Sequence, residues 1–390
     1  MSEQTKPDWI GPPPSVGQIF AIMLVGVTGV MIAGLQPLLL GTLAQEGRLA
    51  AAQLGQTATA ELLTMGLAAA LAGALLPPVR LKIIAITALA ALAAIDVFTP
   101  QARGDMVTLV RAAAGIPSGV MIWVTISMIA RSPTPERWSG AYLTVQTLAQ
   151  FLLATVLTAF VMPRYGADGG FIALGVFCLV AVAAAFLLPR AFAPLPRTEG
   201  GGGGLPSARG WAALAVSFLY IAFTIGVWVY AEPLSREAGH APEVAGQAVS
   251  LSLAAQVAGG LAATALAGRI NWLVALLVCA GVNLALFAGF ASLPGPAVFL
   301  ALCGVFGFVW LFASPFLVPM TIEADPTRRA AVLMGGVQLV GGSFGPLLAS
   351  FFVTDTDVRG ALGFGAVSLV VAIAIVLALH RTRARGAAFA

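Results

Sequence analysis

GQIFAIMLVGVTGVMIAGLQPLLLGTL, from Gly17 to Leu43, contains no charged side chain. A helix of about 20 apolar residues crosses a hydrocarbon core about 30 Å thick, so this stretch is long enough to span a bilayer. Similar runs follow along the whole chain. They lie at Gln53 to Leu76, Leu81 to Phe98, Met106 to Ala130, Trp138 to Val161 and Ala167 to Leu188, and then at Trp211 to Leu234, Gln247 to Gly268, Trp272 to Leu293, Ala297 to Met320, Ala330 to Val353 and Gly360 to Leu379. Charged residues make up 9% of the chain and hydrophobic ones 59%. A soluble domain carries about a quarter charged residues, so lipid is the expected solvent. The runs are continuous rather than alternating apolar with polar, which selects helices over a closed barrel. The fold class is therefore all-α integral membrane, with twelve spans in two sets of six.

Basic residues of short loops stay on the cytoplasmic side. One set of loops holds only Arg48, Arg103, Arg164, Arg236 and Arg359, and Arg111 lies within a span; the rest of the 20 Lys and Arg fall on segments continuous with the termini. Both termini are thus expected in the cytoplasm of a multi-pass protein of the cell (inner) membrane. The net charge of +4 is then an orientation signal and gives no reason to invoke nucleic acid. No removable signal peptide is expected, because the first span is too long and Met1 to Ser15 lacks a basic start and a small-residue cleavage site.

The organisation reads as an N-terminal tail (1–16), a six-helix half (17–188), a linker (189–210), a second six-helix half (211–379) and a basic tail (380–390). The linker, PRAFAPLPRTEGGGGGLPSARG, contains five consecutive glycines and follows no strand, so it reads as a flexible tether rather than a phosphate loop. The proline-rich start GPPPS (Gly11 to Ser15) is expected to be poorly ordered. The halves have nearly equal length and share a weak echo: GQ opens the second span at Gly55 and the eighth at Gly246. Parallel six-helix repeats with a solute site near the midplane are one transporter architecture. Cys178, Cys279 and Cys303 all fall inside spans and serve as small apolar residues. No metal-ligand spacing and no cofactor motif is present.

LVRAAAGIPSG in the fourth span resembles the RxxxGxxxG signature of the major facilitator superfamily, carried here by Arg111, Gly115 and Gly119. GALLPPVRLK (Gly73 to Lys82) resembles that family's loop motif in its glycine, leucine and terminal base, but Pro77 stands where the aspartate is usual. PTPERWSG (Pro133 to Gly140) is similar to the basic turn before the fifth span. The GxxxGP motif of the drug/proton antiporters is absent from the fifth span and occurs in the eleventh, at Gly341, Gly345 and Pro346. The resemblance is to a twelve-helix, drug- or metabolite-efflux-like transporter with partly degenerate motifs. The same glycine spacing also serves close helix packing.

A charge at helix centre costs roughly 2.5–3.5 kcal/mol on the mildest insertion scale, so intramembrane charges are functional candidates. Glu61 and Arg111 lie at matching depth on the second and fourth spans and can pair, either as a static lock or as a proton-exchanging carboxylate biased by a neighbouring cation. Asp96, at the end of the third span, is expected to be solvated. Glu232, a third proton-coupling or ion-pair candidate beside Glu61 and Arg111, precedes Pro233 near the end of the seventh span, where a kink is expected. Tyr220, Thr224 and Trp228 share one helical face, Phe306, Trp310 and Ser314 repeat the spacing in the tenth span, and all six are substrate-cavity candidates.

In the family the first, fourth, seventh and tenth helices line the cavity, which implies Gln36, Trp123, Tyr220, Trp228 and Trp310 as lining residues. An aromatic wall with few charges suits an amphipathic or aromatic organic solute. Gln146, Gln150, Gln256, Asn283 and Gln338 line the path or join helices. The expected function is secondary active transport of such a solute by a monomer, with the proton as coupling ion. A transport-inactive sensor or scaffold with the same fold is the alternative. A lipid-modifying enzyme would need a catalytic cluster at a membrane face, which the sequence lacks. ATP-driven transport lacks its GxxxxGK[ST] loop.

Overall fold

A computed structural model describes residues 9–133, 135–194, 205–266, 269–326 and 329–387. The tail ends and the glycine run Gly200 to Gly204, with Lys6, Arg197 and Arg328, lie outside the described residues. The first half contains α1 (Val16–Gln45), α2 (Ala51–Leu75), α3 (Leu81–Phe98), α4 (Asp105–Ile129), α5 (Pro135–Val156) and α6 (Met162–Ala185). The second contains α7 (Ala208–Trp228), α8 (Ala231–Glu237), α9 (Pro242–Leu266), α10 (Trp272–Ala291), α11 (Pro296–Ala313), α12 (Leu317–Ala324), α13 (Arg329–Ser350) and α14 (Gly360–Ala387). Nine helical segments among the described residues are long and apolar enough to cross a membrane. Arg137–Ala185 counts once there, although the helix breaks at Gly166 with φ 57°.

Two spans are each made of two helices. The seventh is α7 and α8, broken at Val229 and Tyr230. A proline disturbs the carbonyl four residues earlier, so Pro233 accounts for a break at Val229. The tenth is α11 and α12, joined by a 3₁₀ turn at Ser314–Phe316 that contains Pro315. With α5 and α6 counted separately, and with α2 and α13, which are not among those nine segments, twelve spans are present among the described residues.

The expectation of a poorly ordered start is corrected by the contacts of that segment. Ser15 caps α1, its hydroxyl accepting from the Gln18 amide while Gln18 Oε1 accepts from the Ser15 amide, so a reciprocal cap holds the prolines in place. Upstream, Ile10 donates its amide to the Arg131 carbonyl (2.9 Å), and Trp9 packs on Trp138 with centroids 5.9 Å apart.

Within the first half, α4 packs along α2 and α1, and α6 along α3 and α1; within the second, α7 packs on α13 and α14, and α9 on α11. The halves meet along α2 and α13, α5 and α9, and where α1 meets α8. Their contacts concentrate on the side away from the termini, here termed the far face. There the Ala51 amide donates to Asp355 Oδ1 (2.8 Å), and a Cβ on Gly41 would stand 2.5 Å from Glu232 Cβ. Toward the terminal face, Leu67, Leu71 and Leu75 on α2 and Leu333, Leu339 and Val340 on α13 are exposed. The described ties between the halves therefore lie at the far face.

Candidate functional site

Glycine decides how closely α4 approaches α2. A Cβ on Gly115 would stand 2.9 Å from the Met65 nitrogen, and one on Gly119 would stand 2.8 Å from Ala68 Cβ, so larger residues would push the helices apart. Two polar ties flank this contact: Thr57 and Thr108 hydroxyls lie 2.7 Å apart, and Thr64 Oγ1 donates to the Ala112 carbonyl at 2.7 Å. Between the ties sit Glu61 and Arg111. Arg111 Nε donates to Glu61 Oε2 (3.3 Å) and Nη2 donates to Glu61 Oε1. The pair anticipated from matched depth is formed.

The third member is Asp96 on α3, and here the expectation of a solvated side chain is corrected. Arg111 Nη1 donates to Asp96 Oδ1 at 2.6 Å and to Thr99 Oγ1 at 3.3 Å. Glu61, Asp96 and Arg111 are 0%, 2% and 1% exposed. Asp96 is near the end of α3, but the chain continues as a 3₁₀ turn at Thr99–Gln101, and Arg48 donates to the carbonyls of Thr99, Pro100 and Ala102, which seals that end. The Phe171 ring on α6 faces the Arg111 guanidinium, 5.1 Å from carbon to centroid. The Gln36 amide on α1 faces Glu61 without closing a hydrogen bond to it. Two carboxylates thus share one guanidinium in a water-poor site.

Glu232 does not join this cluster. It lies on α8 at the far face, 4% exposed, and its Oε2 has no hydrogen-bond partner among the described residues.

The aromatic faces of α7 and α11 meet one another. Trp228 and Trp310 rings are 5.9 Å apart and edge-on, Phe306 lies 6.4 Å from Trp310, and Tyr220 Oη donates to the Trp310 carbonyl at 2.8 Å. Thr224 and Ser314 hydroxyls donate to carbonyls of their own helices. In this conformation the gap between the two faces is filled by their own side chains. Trp123 is buried in the first half near Gly73, whose Cβ would stand 3.6 Å from the indole. Gly341 and Gly345 bring α13 onto the backbone of Phe218 and Ala222 in α7, with Pro346 one residue on, so the GxxxGP copy sits at a packing contact. Gln150 ties α5 to the Val30 carbonyl of α1 (2.8 Å), whereas Asn283 bonds within its own helix.

Sequence reasoning missed an apolar cavity of about 440 Å³ on the terminal-side half of α2 and α4, lined by Leu67, Leu71, Leu75, Ile116 and Val120. Its signal was present as an apolar stripe on α2, which reads equally as a lipid-facing surface.

Twelve spans in two six-helix bundles meeting along α2 and α13 and along α5 and α9 define the major facilitator fold. Among solved structures, a bacterial homologue of the human lysosomal transporter Spinster, in its inward-facing, occupied conformation, is similar at 16% identity and TM-score 0.64, over 94% of this chain and 96% of that one. The same homologue in its unoccupied form gives 15% and 0.64. The nucleoside transporter NupG is similar at 13% identity and TM-score 0.69, over 93% of this chain and 99% of that one. No protein-family profile and no curated protein sequence matches the chain.

Proposed function

We propose that this protein is a secondary active transporter that moves a small organic solute, amphipathic or aromatic, across the cell membrane by alternating access, coupled to protons. The observation that carries the reading is the buried cluster of Glu61, Asp96 and Arg111. With both carboxylates ionised it holds one net negative charge, and a buried unbalanced charge is costly. One proton balances it. The cluster ties α2, α3 and α4 together, so proton binding and release bear directly on how these helices pack.

The likeness of the fold to two transporters, one of them of nucleosides, supports transport in general. The far-face seam supports halves 17–188 and 211–379 rocking about the contacts of α2 with α13 and α5 with α9. Both termini and the 189–210 linker are assigned to the cytoplasm by the distribution of Lys and Arg, with the chain acting as a monomer. The α2–α4 cavity supports a solute with an apolar part. The aromatic faces of α7 and α11 would receive a flat ring once they part. Uptake of a panel of radiolabelled aromatic and amphipathic solutes into proteoliposomes tests the proposal: accumulation above protein-free liposomes, greater with a proton gradient, is expected. Absence of accumulation across the panel, with the protein folded, favours the transport-inactive reading.

A further inference from the structure

At the terminal face a cavity of about 170 Å³ lies among three segments of the first half and its linker. Trp9 and the prolines at 12–14 border it from the tail, Met128 and Arg131 from the end of α4, and Phe192 and Ala193 from the root of the linker. Backbone bonds fasten both flanking segments in place. The Ile10 amide donates to the Arg131 carbonyl (2.9 Å), the Phe192 amide to the Pro78 carbonyl (2.9 Å) and the Leu81 amide to the Arg190 carbonyl (3.2 Å). Gly11, at φ 88°, lets the tail meet the linker root, since a Cβ there would stand 2.6 Å from Ala193 Cβ.

Arg131 is 7% exposed, and its guanidinium is part of the cavity wall. Nε donates to the Ala193 carbonyl and Nη1 to the Ser127 carbonyl, both at 2.6 Å, and the Phe192 ring lies 5.4 Å from the guanidinium carbon. The bond to Ser127 is the usual service of a basic side chain to the last carbonyls of a helix. Nη2 is left over. It makes no hydrogen bond among the described residues, and it is not one of the partnerless atoms shut off from solvent, so its N–H groups keep accessible surface. Arginine is rarely this buried without a paired charge, yet Arg131 forms no ion pair among the described residues and no acidic residue borders the cavity. One unbalanced positive charge selects a monoanion. Trp9, the prolines and Met128 select an apolar part beside that charge, and the space exceeds the roughly 30 Å³ of a single water several times over.

We propose that this terminal-face cavity binds a small organic carboxylate, one of its oxygens accepting from Arg131 Nη2 and its apolar part lying against Trp9 and the prolines. Because the walls come from the tail, the end of α4 and the linker root, the bound anion ties these three segments together where the linker leaves the first half. The site is separate from the Glu61, Asp96 and Arg111 cluster and does not depend on what the protein transports.

The test uses the purified full chain in detergent with sodium benzoate, against benzamide, sodium phosphate and sodium chloride at equal concentration. The apparent melting temperature is expected to rise saturably with benzoate alone, by mass action on the folded state. Arg131→Gln should abolish the rise. No rise in the native protein, the same rise in Arg131→Gln, or an equal rise with benzamide, phosphate or chloride overturns the proposal. Pro14→Cys, with the three native cysteines replaced by alanine, gives a second readout that keeps Arg131 and is free of stability. Relative to their rates on a free thiol, 2-sulfonatoethyl methanethiosulfonate should label it several-fold faster than the neutral methyl reagent. Benzoate should slow both reagents several-fold and benzamide neither. Equal relative rates for the two reagents, unaffected by benzoate, also overturn it.

Discussion

Arg111 on α4 and Asp96 on α3 stand 2.6 Å apart, Nη1 to Oδ1, with both side chains buried. The same guanidinium holds Glu61 of α2, so one cation organises three helices. Removing it strands two buried carboxylates, whereas neutralising one carboxylate leaves a balanced pair. Arg111→Ala should therefore lose roughly 3–5 kcal/mol of stability, the range for breaking a buried pair, and Asp96→Asn distinctly less. Thermal unfolding in detergent measures both; equal losses would mean that the cluster is not organised around Arg111.

The approach of α2 to α4 depends on Gly115. Gly115→Leu should lower folded yield sharply, since the Met65 backbone leaves no room for the added carbons. Gly281 on α10, where a Cβ would meet nothing within 4 Å, is the control, and Gly281→Ala should be neutral or stabilising by up to about 1 kcal/mol. Size-exclusion profiles of the two variants decide the matter, and a monodisperse Gly115→Leu would remove close packing as the reason for that glycine.

The spans were legible because twenty apolar residues in a row have few other uses, and the Glu61 and Arg111 pairing followed from counting rise along two helices. Asp96 was misread by the same counting. Position along α3 gives its depth, but its burial comes from Arg48 and the 3₁₀ turn after Phe98, which are tertiary contacts with no local pattern. The aromatic stripes of α7 and α11 were read correctly as faces. Periodicity cannot say whether two such faces enclose a solute or each other, and in this conformation they touch. Glu232 was visible as a charge in a span, while its place on α8 against Gly41 of α1 is a tertiary contact with no local pattern.

If a solute parts Trp228 from Trp310, it must change their emission. Solute should quench tryptophan fluorescence in the native protein and do so less in Trp228→Phe and in Trp310→Phe, with affinity reduced several-fold. An edge-on ring pair contributes about 0.5–1.5 kcal/mol beyond area, so each variant should also melt slightly earlier. Full quenching and unchanged affinity in both variants would assign the solute to another part of the protein.

Alternating access requires the far-face seam to open. Ala51→Cys paired with Asp355→Cys places thiols where the Ala51 amide now meets the Asp355 carboxylate. Linking them with a short bifunctional thiol reagent should stop solute uptake, and either single variant treated alike should transport normally. Undiminished uptake by the linked protein would show that the seam stays closed throughout the cycle.

Proteoliposomes with a pH-sensitive dye trapped inside, challenged with a solute that the native protein accumulates, report proton movement during transport. The native protein should shift internal pH on solute addition, and Glu61→Gln should exchange the solute across the membrane without that shift. Solute accumulation by the native protein with no proton movement, or an unaltered pH shift in Glu61→Gln, would contradict coupling through the Glu61, Asp96 and Arg111 cluster.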